Sequence, residues 1–356
     1  MSRVFASEVG KVIARAKEVG GGVYRIPWYL VFGEPNAGKS SVINAMNLTW
    51  DNPKTIEGQY CQYWVSKEAI LVEAREPITG PNKNPELLRE LCSELLRVRP
   101  REPLDGIILV VSATDVAERQ DEALEAHAQH LRTYLVEACK TLQADIPVYV
   151  VCNRYDTLWG FAEVFQWTPD RAREESWGYL VPVEVPSQST WPKVQEGLNG
   201  LHARIEATCL SKVSSEDHIE QRIRAYQHLV ESRVFIEKLK EVSKVLAFSS
   251  AYERAPWMRA IIIGCAVPGT GDRIRAGIHR FQNMGLSQNP YDQFRSARPG
   301  GLPLFIFLKG IVLPEKELVP TKTRWRDDLI TILGFVFGFV MLTVGVLIQQ
   351  GVIKVH

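Results

Sequence analysis

No two of the six cysteines form a CxxC pair. Cys61, Cys92, Cys139, Cys152, Cys209 and Cys265 are scattered along 356 residues. Cys152 and Cys265 sit inside apolar runs. This excludes a disulfide framework or a zinc site of ordinary spacing, and fits reduced thiols in a reducing compartment. Residues 1–19 lack the apolar core of a signal peptide. They mix charges with short apolar steps, as an amphipathic helix packed on a domain does. Charge of one sign is also lacking: the formal net charge is +1. No global field selects nucleic acid, which is not expected as a partner. No His and Asp constellation of a hydrolytic site occurs. What is present is 46% hydrophobic residues, ample for a core, in a length that suits about two domains.

The longest uncharged apolar run is Leu329 to Ile348, LITILGFVFGFVMLTVGVLI. At about 1.5 Å per residue it spans a hydrocarbon core of roughly 30 Å. Lys316, Lys322, Arg324 and Arg326 precede it and only Lys354 follows. The positive-inside rule then puts the N-terminal bulk in the cytoplasm, with one pass through the membrane. Gly334 and Gly338 form a GxxxG step, a weak sign of a helix-packing face.

A short apolar strand, Tyr29 to Phe32, runs into Gly33-Glu34-Pro35-Asn36-Ala37-Gly38-Lys39-Ser40. This satisfies GxxxxGK[ST], and an apolar-periodic helix follows, the context that the motif requires. Its backbone N–H groups and the helix N-terminus favour phosphate oxygens. Gly33, Asn36, Ala37, Gly38, Lys39, Ser40 and Ser41 are therefore candidate nucleotide ligands. Lys39 would reach the β- and γ-phosphates, and Ser40 would ligate Mg²⁺. A loop that keeps this form but binds nothing is the alternative. Strands at 69–72, 107–111 and 148–152 alternate with helices at 85–97 and 118–142, a pattern that predicts a parallel sheet covered on both faces.

After the strand at 148–152 comes Asn153-Arg154-Tyr155-Asp156. GTPases carry [NT]KxD at this point, and Asp156 stands where their Asp pairs with guanine. Arg154 replaces the lysine, and a guanidinium also stacks on a base. Asp156 as a cap of the next turn is the other reading. Glu73-Ala74-Arg75-Glu76 occupies the place of DxxG. Glu73 keeps a carboxylate for the metal; Glu76 replaces the glycine and adds like charge. The expected ligand is GTP or ATP with Mg²⁺, guanine favoured, with weak or no hydrolysis and no assignable catalytic residue.

These segments resemble the TssM/IcmF family of type VI secretion systems. Ile26-Pro27-Trp28-Tyr29-Leu30 is similar to its LPWYL lead-in, and Cys61 to Trp64 to its C-x-W-W segment. Arg99 to Val116 (RPREPLDGIILVVSATDV), His127 to Glu137 (HAQHLRTYLVE) and Ile146 to Phe165 (IPVYVVCNRYDTLWGFAEVF) have close counterparts. Tyr252 to Ala260 and Phe305 to Leu318 extend the likeness beyond the nucleotide fold, so it covers about 26–348. The family's N-terminal membrane hairpin and large periplasmic domain have no counterpart in it, and its DTAG-like segment is altered here.

The resemblance implies an inner-membrane-anchored cytoplasmic scaffold. Its partners would be a TssL-like inner-membrane subunit, baseplate proteins and inner-membrane lipid, with self-association left open. The expected fold is α/β: a P-loop NTPase-like parallel sheet with helices on both faces, an added helical subdomain and one C-terminal transmembrane helix. The expected divisions are a lead-in at 1–25, the nucleotide fold at 26–211, a helical extension with a returning strand at 212–320, and the membrane helix at 329–348. In the extension, Ile219, Ile223, Leu229, Val234, Ile236 and Leu239 recur at helical spacing, and the charges between them read as a solvated face. The alternative function is a membrane-tethered GTPase or ATPase outside secretion, on the strength of the GEPNAGKSS loop.

Overall fold

The computed structural model describes residues 2–20, 22–79, 84–165, 176–249, 256–266, 302, 304–318 and 333. Apart from Leu333, the membrane segment expected at 329–348 lies outside these residues. Among the described residues no helix is long and apolar enough to cross a membrane.

The chain order is α1 (Ser2–Glu18), β1 (Trp28–Phe32), α2 (Lys39–Ala45), β2 (Trp50–Glu57), β3 (Cys61–Ser66), β4 (Ile70–Ala74), α3 (Glu76–Thr79), α4 (Pro85–Val98), β5 (Gly106–Ser112), α5 (Ala113–Glu118), α6 (Asp121–Leu142), β6 (Pro147–Asn153), α7 (Phe161–Phe165), β7 (Gly178–Leu180), α8 (Thr190–Ser215), α9 (Ile219–Leu246) and β8 (Trp257–Ile263). A short helical segment at 305–317 follows.

The strands form one sheet in the order β2-β3-β4-β1-β5-β6-β8-β7. β4, β1, β5, β6 and β8 are mutually parallel. β2 and β3 on one flank and β7 on the other are antiparallel. The sheet is thus mostly parallel but mixed, which corrects the all-parallel expectation. The physical reason is connection length. Only residues 58–60 separate β2 from β3, and 67–69 separate β3 from β4. Such short turns join antiparallel neighbours, whereas a parallel crossover needs a dozen residues or more.

The parallel strands are almost wholly buried, because both faces are covered. Alternate residues feed two cores. Trp28, Leu30, Leu109 and Val150 face the layer that holds α1, α4, α6, α8 and α9. Tyr29, Val31, Ile108 and Tyr149 face α2 and the segment around Leu304–Val312. α1 packs through Phe5, Val9 and Val12, and its buried Glu8 accepts the Tyr63 hydroxyl at 2.9 Å. All six cysteines are buried free thiols.

The helix expected at 118–142 begins only at Asp121. Ser112 Oγ accepts the Asp115 N–H and starts the separate short α5. Lys238 of α9 then donates to the Ala117 and Arg119 carbonyls at 2.6 and 2.7 Å and closes that helix. α9 also corrects the sequence reading. Its buried face is Ala225, His228, Ser232, Phe235, Ile236, Leu239, Val242 and Leu246, while Ile219, Ile223 and Val234 are exposed. The apolar spacing had merged two faces of one helix.

Candidate functional site

The parallel strands end along one edge of the sheet, the side on which open α/β sheets bind ligands. Gly33 follows β1, Glu73 lies near the end of β4, Asn153 ends β6 and Gly264 follows β8.

The Gly33–Ser40 loop is built by backbone conformations that few residues adopt. Gly33 and Gly38 have φ of 148° and 87°, and Asn36 sits in the left-handed region at 64°. A Cβ at Gly33 would run into the Val110 carbonyl, and one at Gly38 into the Asn153 amide. Only glycine fits such a close backbone approach. Ala37 is buried. α2 starts at Lys39, and the Val42 N–H returns to the Gly38 carbonyl at 2.9 Å. Ser41 is half-buried in its first turn.

Lys39 is 8% exposed. Its Nζ donates to the Gly33 and Glu34 carbonyls, both at 2.9 Å. Burial holds this ammonium below the usual lysine range, while Glu73 and then Glu34 act to raise it. The cation is curled onto its own loop with neutral partners, an arrangement that an anion would improve.

Ser40 and Glu73 meet. Ser40 Oγ donates to Glu73 Oε1 at 2.6 Å, and Trp64 Nε1 donates to the other carboxylate oxygen at 2.9 Å. Glu73 is 5% exposed. An adjacent hydroxyl and carboxylate are the oxygen donors that Mg²⁺ takes, with phosphate and water completing its shell. Glu76, in place of the DxxG glycine, is exposed at the start of α3. Among the described residues no group of three or more His, Cys, Asp or Glu could hold a metal.

Against the loop itself, Asn153 is 2% exposed. Its Nδ2 donates to the Ala37 carbonyl at 3.1 Å, and its Oδ1 accepts the Ala266 N–H at 2.9 Å. One side chain thereby joins the phosphate loop to the loop after β8. Asp156 is half-buried in the turn beyond, against the Cys265 thiol. Burial first, and Asp156 second, push that thiol well above its usual value. Tyr155, His228, Phe161, Phe165 and Phe235 pack edge to face behind the turn. His228 Nδ1 donates to the Trp159 carbonyl at 2.9 Å, and Tyr155 hydroxyl donates to Nε2 at 3.4 Å.

Sequence reasoning missed Glu34, Trp64 and the segment after β8. Glu34 of the loop accepts Arg119 at 2.9 Å and His127 Nδ1 at 2.7 Å, over separations of 85 and 93 residues. Trp64 lies on β3, antiparallel to β4. Gly264-Cys265-Ala266 forms the loop after β8. Its signal was a glycine and small residues closing an apolar run, the same punctuation that follows β1.

Residues 81–339 match the family model described as the IcmF-related N-terminal domain. The chain belongs to the IcmF-related family. Asn153, Asp156 and Ala266 lie within the matched span; the phosphate loop and Glu73 precede it. The type VI secretion system component TssM1 of Pseudomonas aeruginosa is 25% identical over 325 residues, which is 85% of this chain and 29% of that protein. This IcmF-related chain therefore spans less than a third of that relative's length. Among solved structures, a GTP-binding protein from Sulfolobus solfataricus in complex with GDP shares 16% identity, with a TM-score of 0.23 over 42% of this chain and 40% of that one. A point variant of SsGBP shares 19%, with a TM-score of 0.23 over 42% and 45%.

Proposed function

We propose that this chain is the cytoplasm-facing nucleotide-fold part of a TssM-like component of a type VI secretion membrane complex, and that it binds a guanine nucleotide with Mg²⁺ without appreciable hydrolysis. The observation that carries the nucleotide reading is the double role of Asn153. It ties the Gly33–Ser40 loop to the loop after β8, so the segments that would meet phosphate and base form one hydrogen-bonded unit.

In this reading the loop N–H groups of residues 36–41 and the Lys39 ammonium hold the phosphates. Ser40 and Glu73 hold Mg²⁺, which would neutralise phosphate charge. Asp156 accepts the two N–H groups on the Watson–Crick edge of guanine, which adenine does not present in that pattern. The absence of a DxxG glycine and the exposed Glu76 support binding without a hydrolytic switch. The nucleotide is then a structural or regulatory ligand of a scaffold. Membrane anchoring through 329–348, and contact with a TssL-like subunit and baseplate proteins, complete the proposal. They rest on the apolar run and on family membership.

The test is calorimetric titration of the full chain in detergent with GTP, GDP, ATP and ADP plus Mg²⁺. Micromolar binding of the guanine nucleotides, lost in Lys39→Ala and weakened in Asp156→Ala, is the expected result. Binding by none of the four makes the loop a relic and leaves the scaffold alone. Equal binding of adenine and guanine removes Asp156 from base reading.

A further inference from the structure

α9 carries a second apolar face that the described residues leave largely exposed. Ile219, Ile223, Tyr226, Val230 and Val234 are 71, 60, 56, 48 and 49% exposed. Their spacing of four, three, four and four residues draws one stripe along a helix that turns about 100° per residue. The same turn puts the stripe opposite Ala225, His228, Ser232 and Phe235, which α9 buries in the domain. The stripe is therefore the outward crest of the helical layer. Five large apolar side chains in one line along a helix are a helix-pairing surface.

The charges beside the stripe say what covers it. Glu220 and Glu231 lie along one flank; Arg222 and Arg233 lie along the other. A lipid surface is met by basic residues on both flanks of an apolar face, and one flank here is acidic. Two identical helices side by side behave differently according to direction. If antiparallel, like flanks meet, acid on acid and base on base. If parallel about a two-fold axis, each acidic flank meets the basic flank of the other helix. Glu220 then faces Arg222 of the second copy, and Glu231 faces Arg233, each pair occurring twice. Arg222 is already held near this position by its bonds to the Glu216 carbonyl at 2.7 and 3.1 Å.

We infer that two copies of this chain pair through α9, side by side and parallel, with the 219–234 stripe as the seam. The contact is isologous, so residue 230 of one copy faces residue 230 of the other.

The native cysteines favour a direct test, because all six are buried. The full chain in native membranes carries a single added thiol, Ile223→Cys, Val230→Cys or, as a control on an exposed site outside α9, Val183→Cys, and is treated with a short bismaleimide. All three positions are exposed, so folding is preserved. Ile223→Cys and Val230→Cys each give a covalent homodimer, and Val183→Cys gives none. Glu231→Arg in the Val230→Cys background lowers the dimer yield about tenfold by setting like charges opposite, and adding Arg233→Glu restores it. Four outcomes overturn the inference. They are no dimer above the Val183→Cys level, a cross-link to a different protein, a cross-link only when Ile223→Cys and Val230→Cys chains are mixed (the antiparallel signature), or a yield indifferent to the charge changes.

Discussion

Acidification should loosen this fold through one histidine. His228 is fully buried behind the Asn153–Asp156 turn, and burial pushes its imidazole down from 6.5 to about 4. The Trp159 carbonyl and then Glu163 oppose that shift without cancelling it. In the unfolded chain the ring takes a proton as pH falls through about 6.5. In the folded chain it stays neutral until about 4. The unfolded state therefore binds the extra proton across that window, so stability is full above about pH 6.5 and is lost towards pH 4. At about 1.4 kcal/mol per tenfold the whole window amounts to about 3 kcal/mol, of which about 2 kcal/mol is gone by pH 5. The assay is urea unfolding of the full chain in detergent, followed by tryptophan fluorescence at pH 7.5 and pH 5. Other groups titrate too, so the informative quantity is the difference between the wild type and His228→Gln, whose amide N–H can still donate to Trp159. The variant should lose about 2 kcal/mol less than the wild type between the two pH values. Equal losses in both would refute the reasoning.

Trp64→Phe leaves one oxygen of the buried Glu73 without its donor and should cost about 1–3 kcal/mol in thermal unfolding at neutral pH. Gly38→Ala combines a positive φ with a clash on Asn153. It should destabilise by about 1–3 kcal/mol and abolish nucleotide binding by calorimetry. Gly10→Ala, in α1 with open space at its Cβ, should instead stabilise by about 0.5–1 kcal/mol in the same melts. Asp105 accepts both the Trp28 N–H at 2.8 Å and the fully buried Arg99 at 3.1 Å. Asp105→Asn leaves the guanidinium without its counter-charge at the start of β1, and should cost about 3–5 kcal/mol by denaturant unfolding.

Much of the sheet was legible because burial on both faces writes a continuous apolar run. β1, β4, β5, β6 and β8 announce themselves in this way. β2 does not: WDNPKTIE mixes turn-formers with charge and holds its place through pairing with β3. β7 is three residues long, too short for any pattern. In the candidate site, the Gly33–Ser40 loop and Asn153 stand out in the sequence because their pattern is local or punctuated by glycine. Glu34 was not, since its meaning comes from Arg119 and His127, which only the packing of α6 beside β1 brings near. The apolar spacing of α9 was read correctly as helical, but periodicity alone does not separate a buried stripe from an exposed one on the same helix.

The position of β8 has a consequence for the order in which this fold assembles. Pro147 pairs with Trp257, so α7, β7, α8 and α9 are all made before β6 gains its outer neighbour. Among the described residues β7 pairs only with β8 and cannot join the sheet until that later strand arrives. Closing so long a loop is an entropic cost met only once β8 docks. During synthesis the Gly33–Ser40 loop and Asn153 can therefore be in place while the Ala266 N–H that completes Asn153 is still to come. The two loops that Asn153 joins become one hydrogen-bonded unit late, when the edge of the sheet is finished.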